Sequence, residues 1–271
     1  MVYDVSIIGV GFVGGACLNS FKNKGLNVFC HDKYKNEVNM GDIDNCLNTE
    51  MIFLCLPTIF DKTEYMYNKS AIYDVCNFLN EKKYNGIVIL KSTVEPQTTN
   101  DLCSKYPNLQ FIHNPEFLTA RTAYNDFHNQ SHIVLGKSNN CTDANLSKVN
   151  NFFSLYYPRA EITKCTSDES ETMKICVNSF YSVKIQFFNE LYLLCEKMNV
   201  SYDNVKDIML KNKWFTPHHT NVPGPDGKLS YGGACFPKDT SALLEFMKRL
   251  DTPHMVLESV VNERNSMRDD D

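Results

Sequence analysis

The sequence predicts a two-part α/β protein. A doubly wound, largely parallel sheet occupies residues 1–165, and an all-α domain built on one long helix occupies residues 166–271. Three observations carry this. Short apolar runs alternate with helical patterns through the first half. A Gly9-x-Gly11-x-x-Gly14 turn directly follows the first of those runs. From Asp168 to Met198 the chain contains neither glycine nor proline, as an uninterrupted helix requires.

The strand candidates are 3–9, 27–31, 51–56, 86–91, 109–112 and 132–136, with a last one at 161–165. They read as continuous apolar runs rather than strict alternation, the pattern of strands covered on both faces. Helices are expected between them at 12–24, 70–82 and 143–155. The long helix of 168–198 has Thr166, Ser167 or Asp168 available as its cap and acidic Glu169 and Glu171 in its first turns, which suits a helix N-terminus. Met173, Val177, Phe180, Phe187, Leu191, Leu194 and Met198 recur along it at roughly helical spacing. A helix at 202–211, a Pro/Gly/His-rich loop at 216–233, and helices at 238–249 and 253–266 complete the chain.

Composition narrows the function. A net charge of −5 argues against a nucleic-acid footprint, which needs a basic excess. No apolar run approaches the ~20 residues that cross a bilayer. The N-terminus lacks the pattern of a signal peptide. The eleven cysteines are scattered, many within apolar runs, and no C-x-x-C pair occurs. They read as reduced thiols of a cytoplasmic protein. The adjacent His218 and His219 have no third ligand at a suitable spacing, so no metal site is expected. The acidic end, Asp269–Asp271, reads as a short low-complexity tract.

The glycine turn has the setting of a Rossmann-like dinucleotide site. A strand precedes it, a helix follows it, and the next strand ends in Asp32, about 20 residues on. Gly9 permits the tight turn, Gly11 lets the backbone approach a pyrophosphate, and Gly14 lets the helix pack on the strand. The helix N-terminus at Phe12 and Val13 supplies N–H donors to phosphate. Asp32 can accept from ribose hydroxyls and repels a 2′-phosphate, favouring NAD over NADP, with Lys33 and Lys35 nearby acting the other way.

"YGGACFPKDT" (231–240) places a thiol, Cys235, after a glycine pair and three residues before Lys238. A cysteine is nucleophilic as thiolate, which nearby positive charge or a helix N-terminus near Pro237 would favour. On local spacing alone, the stretch reads as a loop cysteine beside a helix start, with Lys238 and Asp239 as solvated first-turn residues.

The stretch "GGACFPKD" resembles the catalytic-cysteine signature of the UDP-glucose/GDP-mannose dehydrogenase family. Other segments match that family in the same order: "LCLPT" (54–58), "KSTVEP" (91–96), "NPEFL" (114–118), "ETMKICVNSFYSVKIQFFNEL" (171–191) and "VPGPDG" (222–227). The resemblance implies oxidation of a primary alcohol on a nucleotide sugar to a carboxylate, with two NAD in succession. UDP-glucose to UDP-glucuronate is the first expectation; GDP-mannose or a UDP-N-acetylhexosamine is the alternative. It implies Cys235 as the nucleophile that forms a thiohemiacetal and then a thioester, with Lys174 and Asn178 stabilising an oxyanion. Asp239 would position or activate water, Glu116 would serve as general base for hydrolysis or polarise that water, and Thr93 would hold it through its hydroxyl. Pro57, Thr58, Ser92 and Thr93 fall in cofactor-side loops. Phe117, Leu118, Tyr231, Gly232 and Gly233 join Glu116, Lys174 and Asn178 as substrate-binding positions. A homodimer through the central helix is also implied.

Three departures stand out. Ala120 occupies the position where the family usually has a second glutamate. The segment between Asp32 and Met51 is short, so a trimmed third strand and a missing helix are expected. The sequence stops at Asp271, so a third, nucleotide-covering domain is expected to be absent, leaving that site to a partner subunit or to the loop at 216–233. These departures keep open a second class of function, an NAD-binding interaction protein without net catalysis.

Overall fold

The computed structural model describes residues 3–39, 41–214 and 216–270. The chain divides into two compact units, Met1–Ile59 with Tyr67–Lys174, and Phe60–Met66 with Ile175–Asp271.

The first unit is the expected doubly wound sheet. Its strands are β1 (Val5–Ile8), β2 (Val28–His31), β3 (Met51–Leu54), β6 (Ile87–Leu90), β7 (Gln110–His113), β8 (His132–Lys137) and β9 (Glu161–Thr166). They lie in the order β2-β1-β3-β6-β7-β8-β9. Strands β1, β3 and β6 are buried at every residue, and alternate side chains enter two separate cores. Ile7, Phe53 and Ile89 join α1 (Phe12–Asn23) and α5 (Asp143–Tyr156) on one face. Ile8, Leu54 and Leu90 join α2 (Ser70–Glu81) and α3 (Thr98–Lys105) on the other. Two wet-free faces explain why the strands read as continuous apolar runs.

The sheet departs from an all-parallel one at β8, which runs antiparallel to β7 and parallel to β9. The sequence missed α3, α4 (Ala123–His128) and a small hairpin of β4 (Ile59–Asp61) and β5 (Met66–Asn68). Both helices are short and polar, so they carry little apolar period. Between Asp32 and β3 the described residues form two 3-10 turns, Asn36–Val38 and Ile43–Asn48.

The second unit contains most of α6 (Ser167–Met198), followed by α7 (Tyr202–Leu210), α8 (Phe236–Arg249) and α9 (Met255–Met267). Thr166 is the cap of α6. Its hydroxyl accepts from the Glu169 amide at 3.2 Å, while the Glu169 carboxylate accepts from the Thr166 amide at 2.8 Å. This reciprocal pair satisfies two helix-end donors. The units divide at Lys174, inside α6, rather than at the expected 165/166. The first turns of α6 belong to the sheet unit because Glu171 accepts from the Thr99 amide at 2.8 Å and Ser170 lies against Gly136 of β8. Phe188, Cys195 and Tyr202 form the local core between α6 and α7. No helix among the described residues is long and apolar enough to cross a membrane.

Candidate active site

In the sheet unit, the glycine turn sits at the carboxyl end of β1, beside the carboxyl end of β3. Gly9 has φ +90°, and a Cβ there would lie 2.4 Å from the Cys55 carbonyl oxygen. A Cβ on Gly14 would lie 1.9 Å from the Gly9 carbonyl oxygen. Only glycine fits either position. Gly11 differs: a Cβ would meet nothing within 4 Å, so the space in front of it is open. Gly11 is also the N-cap of α1 and offers no side-chain cap, and no acid stands in the first turn at Phe12 and Val13. The first amides of α1 therefore present a positive end to that space.

Asp32 follows β2. Its Oδ2 accepts from the Val10 amide at 2.7 Å and its Oδ1 from the Tyr34 amide at 2.9 Å. Partial burial works to raise this carboxyl, but those amides and the Lys35 ammonium outweigh it and hold it below the usual range. Lys35, read from sequence as a charge favouring NADP, donates to the Val10 carbonyl at 2.8 Å, bracing the same turn. Behind it, Ser92 bridges Leu56 by accepting from its amide at 3.0 Å and donating to its carbonyl at 2.7 Å. Thr58 donates to the Thr93 carbonyl at 2.7 Å. The Pro57–Thr58 and Ser92–Thr93 loops are thus tied together after β3 and β6. The residues fit a dinucleotide: an open glycine, an uncapped helix start and an ionised acid.

After β7, Glu116 and Lys174 form a nearly buried ion pair at 3.2 Å. The second Glu116 oxygen accepts from the Leu118 amide at 2.5 Å, and the Lys174 ammonium lies 5.3 Å from the Phe117 ring. Phe117 stacks on His132 at 5.8 Å. Sequence reasoning missed the support beneath. Lys91 is fully buried and donates to the Asn114 carbonyl and side-chain oxygens at 3.0 and 2.8 Å, fixing the start of "NPEFL". A lysine closing an apolar strand is the signal that could have exposed it. Ala120 is exposed.

In the helical unit, α8 begins at Phe236, with Cys235 as its N-cap and Pro237 in its first turn. Cys235 is an exposed thiol, placed where the helix dipole favours an anion. Asp239 is fully buried one turn later. Its Oδ2 accepts from Asn178 Nδ2 at 2.6 Å, and its Oδ1 pairs with Lys238 at 2.5 Å. Lys238, three residues from the thiol in sequence, pairs its ammonium with the buried Asp239. Lys174 and Asn178 lie one turn apart on α6, each buried and each against its own carboxylate.

Tyr231 is buried, and Gly232 is in contact with the Arg268 guanidinium. Gly233 has φ +80°. Arg264 and Arg268 were missed, although two arginines one helical turn apart before an acidic end are a visible signal. Within the acidic end, Asp270 accepts from both arginines. His219 packs between Tyr181, at 4.5 Å, and Phe236, at 5.4 Å. Burial, with Lys184 and His218 adding to it, holds its imidazole below the usual range.

Residues 40–154 match the NAD-binding domain, and residues 168–266 the central domain, of the UDP-glucose/GDP-mannose dehydrogenase family. The chain belongs to that family and carries its NAD-binding and central domains. Among its relatives, the UDP-glucose 6-dehydrogenase of Rickettsia bellii is 30% identical over 222 residues, covering 79% of this chain and 49% of that protein. UDP-glucose 6-dehydrogenase TuaD of Bacillus subtilis is 23% identical, covering 97% of this chain and 63% of that protein. The chain thus spans about half to two thirds of the length of these curated relatives. A UDP-glucose dehydrogenase structure from Pyrobaculum islandicum superposes with a TM-score of 0.84 at 20% identity, over 98% of this chain and 68% of that one. That likeness establishes the fold.

Proposed function

We propose that this chain is a nucleotide-sugar dehydrogenase that oxidises the sugar C6 alcohol of UDP-glucose to UDP-glucuronate in two NAD-dependent steps. The observation that carries this reading is the thiol of Cys235 at the N-cap of α8, with a buried Asp239–Asn178 pair one turn behind it. A plain alcohol dehydrogenase has no need of a thiol; a four-electron oxidation does.

Bound at the Gly9–Gly14 turn and Asp32, NAD would accept the two hydrides released between alcohol and carboxylate. Cys235 adds to the carbonyl carbon of the intermediate aldehyde, and its sulfur remains bonded there through a thiohemiacetal and then a thioester. Lys174 Nζ and Asn178 Nδ2 stabilise negative charge on the former alcohol oxygen. Asp239 orients Asn178, which explains why that carboxylate is buried. Glu116, braced by Lys174 and the Leu118 amide, accepts a proton from the water that hydrolyses the thioester. With Ala120 in place of a second glutamate, Glu116 carries this proton transfer without help from that position. Tyr231, Gly232 and Gly233 would serve as contacts for the sugar nucleotide.

We also propose that two copies associate through α6. Phe180 and Phe187 are 63% and 54% exposed, and Leu194 and Met198 continue the same stripe, an apolar surface that marks an interface. Phe188 and Tyr192 lie off this stripe: Phe188 is buried within its own unit, and Tyr192 packs on Tyr202 at 5.5 Å.

NADH production by the purified protein against UDP-glucose, GDP-mannose and UDP-N-acetylhexosamines tests the proposal. UDP-glucose should give two NADH per sugar and a carboxylate product. Cys235→Ser should bind NAD normally and make no acid. Acid formation by that variant at the wild-type rate overturns the covalent mechanism, and no turnover of any nucleotide sugar favours the interaction protein.

A further inference from the structure

We propose that Arg268, assisted by Arg264, is a positioning residue for the Cys235 thiol. The inference rests on the assignment of Cys235 as nucleophile. Its basis is the segment 229–232, which leads into that cysteine and is held almost entirely by side chains from elsewhere in the helical unit.

Arg268 follows α9, and its side chain is 2% exposed. The guanidinium has five donors in a fixed plane, and most are aimed at one loop. Nη1 donates to the carbonyls of Leu229 and Ser230 at 3.0 and 3.4 Å. Nη2 donates to Asp226 at 2.5 Å, and Nε to Asp270 at 2.7 Å. Arg264 takes the next carbonyl, Tyr231, from Nε at 3.3 Å, and reaches the same Asp270 at 2.8 Å. Three successive carbonyls thus accept from two arginines one helical turn apart. From the opposite side, the Ser230 amide donates to Asn189 at 2.8 Å and the Ser230 hydroxyl to Gln186 at 2.5 Å. Both partners stand on α6, the helix that also presents Asn178.

The backbone so held is not one the loop would choose. Ser230 has φ +59° and Gly233 φ +80°, and the left-handed region is unfavourable for serine. An independent observation points to the same guanidinium. A Cβ on Gly232 would lie 2.4 Å from Arg268 Nη2 and 2.7 Å from Cζ. The missing side chain at Gly232 is therefore what seats the arginine. Gly232 and Arg268 form one device: the glycine opens the space, the guanidinium fills it, and Cys235 follows three residues later at the N-cap of α8.

The test measures Cys235 itself. Iodoacetamide alkylation of the intact protein, resolved by peptide mass spectrometry, reports its rate at pH 7.5 against the other cysteines. Arg268→Gln and Gly232→Ala should each slow Cys235 alkylation about tenfold, and the double variant should be no slower than either, because both remove the same contact. Arg268→Lys keeps the charge without the fork; it should leave the melting temperature near wild type and still lose most of the rate. Asp226→Asn, at an exposed partner, should fold normally and slow alkylation about threefold. An unchanged Cys235 rate in folded Arg268→Gln, or in Asp226→Asn should Arg268→Gln not fold, overturns the proposal, as does strict additivity with Gly232→Ala. Alkylation requires no turnover. Acid formation by Cys235→Ser would remove the catalytic reading while leaving the positioning effect standing.

Discussion

Replacing Glu171 with glutamine should remove a pH dependence that the fold itself creates. Glu171 is fully buried near the start of α6. Burial drives its carboxyl up to about 7, against the lowering effect of the Thr99 hydroxyl and amide, which both donate to Oε1, and with the Asp168 charge adding to the rise. Oε2 has no partner. A carboxyl raised from its ordinary value of 4.5 to about 7 binds more protons folded than unfolded across that interval. Its contribution to stability is fully present below 4.5 and is lost as pH rises through 7. At about 1.4 kcal/mol per unit, the whole loss is about 3 kcal/mol. Most of it, roughly 2 to 3 kcal/mol, falls between pH 5 and 8. His113 opposes it: burial pushes its imidazole down to about 3, so its contribution is lost as pH falls below 6.5. The wild-type curve alone therefore mixes two signs, and the informative quantity is the difference between wild type and Glu171→Gln. Glutamine keeps an acceptor for Thr99 and leaves a buried amide group, a cost of about 1–3 kcal/mol that does not vary with pH. Urea unfolding of both proteins at pH 5, 6, 7 and 8 gives the difference. Wild type should lose its advantage over the variant by roughly 2 to 3 kcal/mol across the series. A difference that stays flat with pH would refute the reasoning.

Asp32→Ala removes the acceptor for the Val10 and Tyr34 amides and should weaken NAD while narrowing its advantage over NADP; unchanged NAD affinity by calorimetry would show that the carboxylate does not reach the ribose. Gly14→Ala forces a methyl onto the Gly9 carbonyl, and the strain should cost about 3 kcal/mol in urea unfolding with loss of NAD binding; a variant of wild-type stability would mean the turn is loosely packed. Phe187→Asp, at an exposed position of α6, should convert a dimer into a species of 31.1 kDa in sedimentation without unfolding it, whereas a wild-type protein already sedimenting at that mass would exclude association through α6.

The sequence by itself determined the architecture of both units. Paired faces made the strands apolar throughout, and the absence of glycine and proline made α6 continuous, so periodicity alone located nearly every long element. It also located the dinucleotide turn, because Gly9, Gly11 and Gly14 stand at fixed spacing between a strand and a helix; the close approach to Gly14 is local, whereas the Cys55 carbonyl that demands glycine at position 9 comes from far along the chain. Elements whose stability comes from elsewhere were not legible. α3 and α4 are too short and polar to show a period, and the antiparallel entry of β8 depends on strand pairing that no local pattern encodes.

The site divides in the same way. Cys235, Lys174, Asn178, Glu116 and Asp239 were visible as residue types in a known order, but their partners were not. Lys238 stood beside the thiol in sequence, and the fold adds a buried carboxylate, Asp239, to its ammonium. Arg264 and Arg268 stood more than thirty residues beyond Tyr231, yet they hold its loop. Ion pairs and hydrogen bonds form between groups close in space, and a side chain as long as lysine or arginine can choose among several. Only the tertiary structure decided which carboxylate each cation meets, because that choice depends on burial, where an unpaired charge is costly enough to exclude the alternatives.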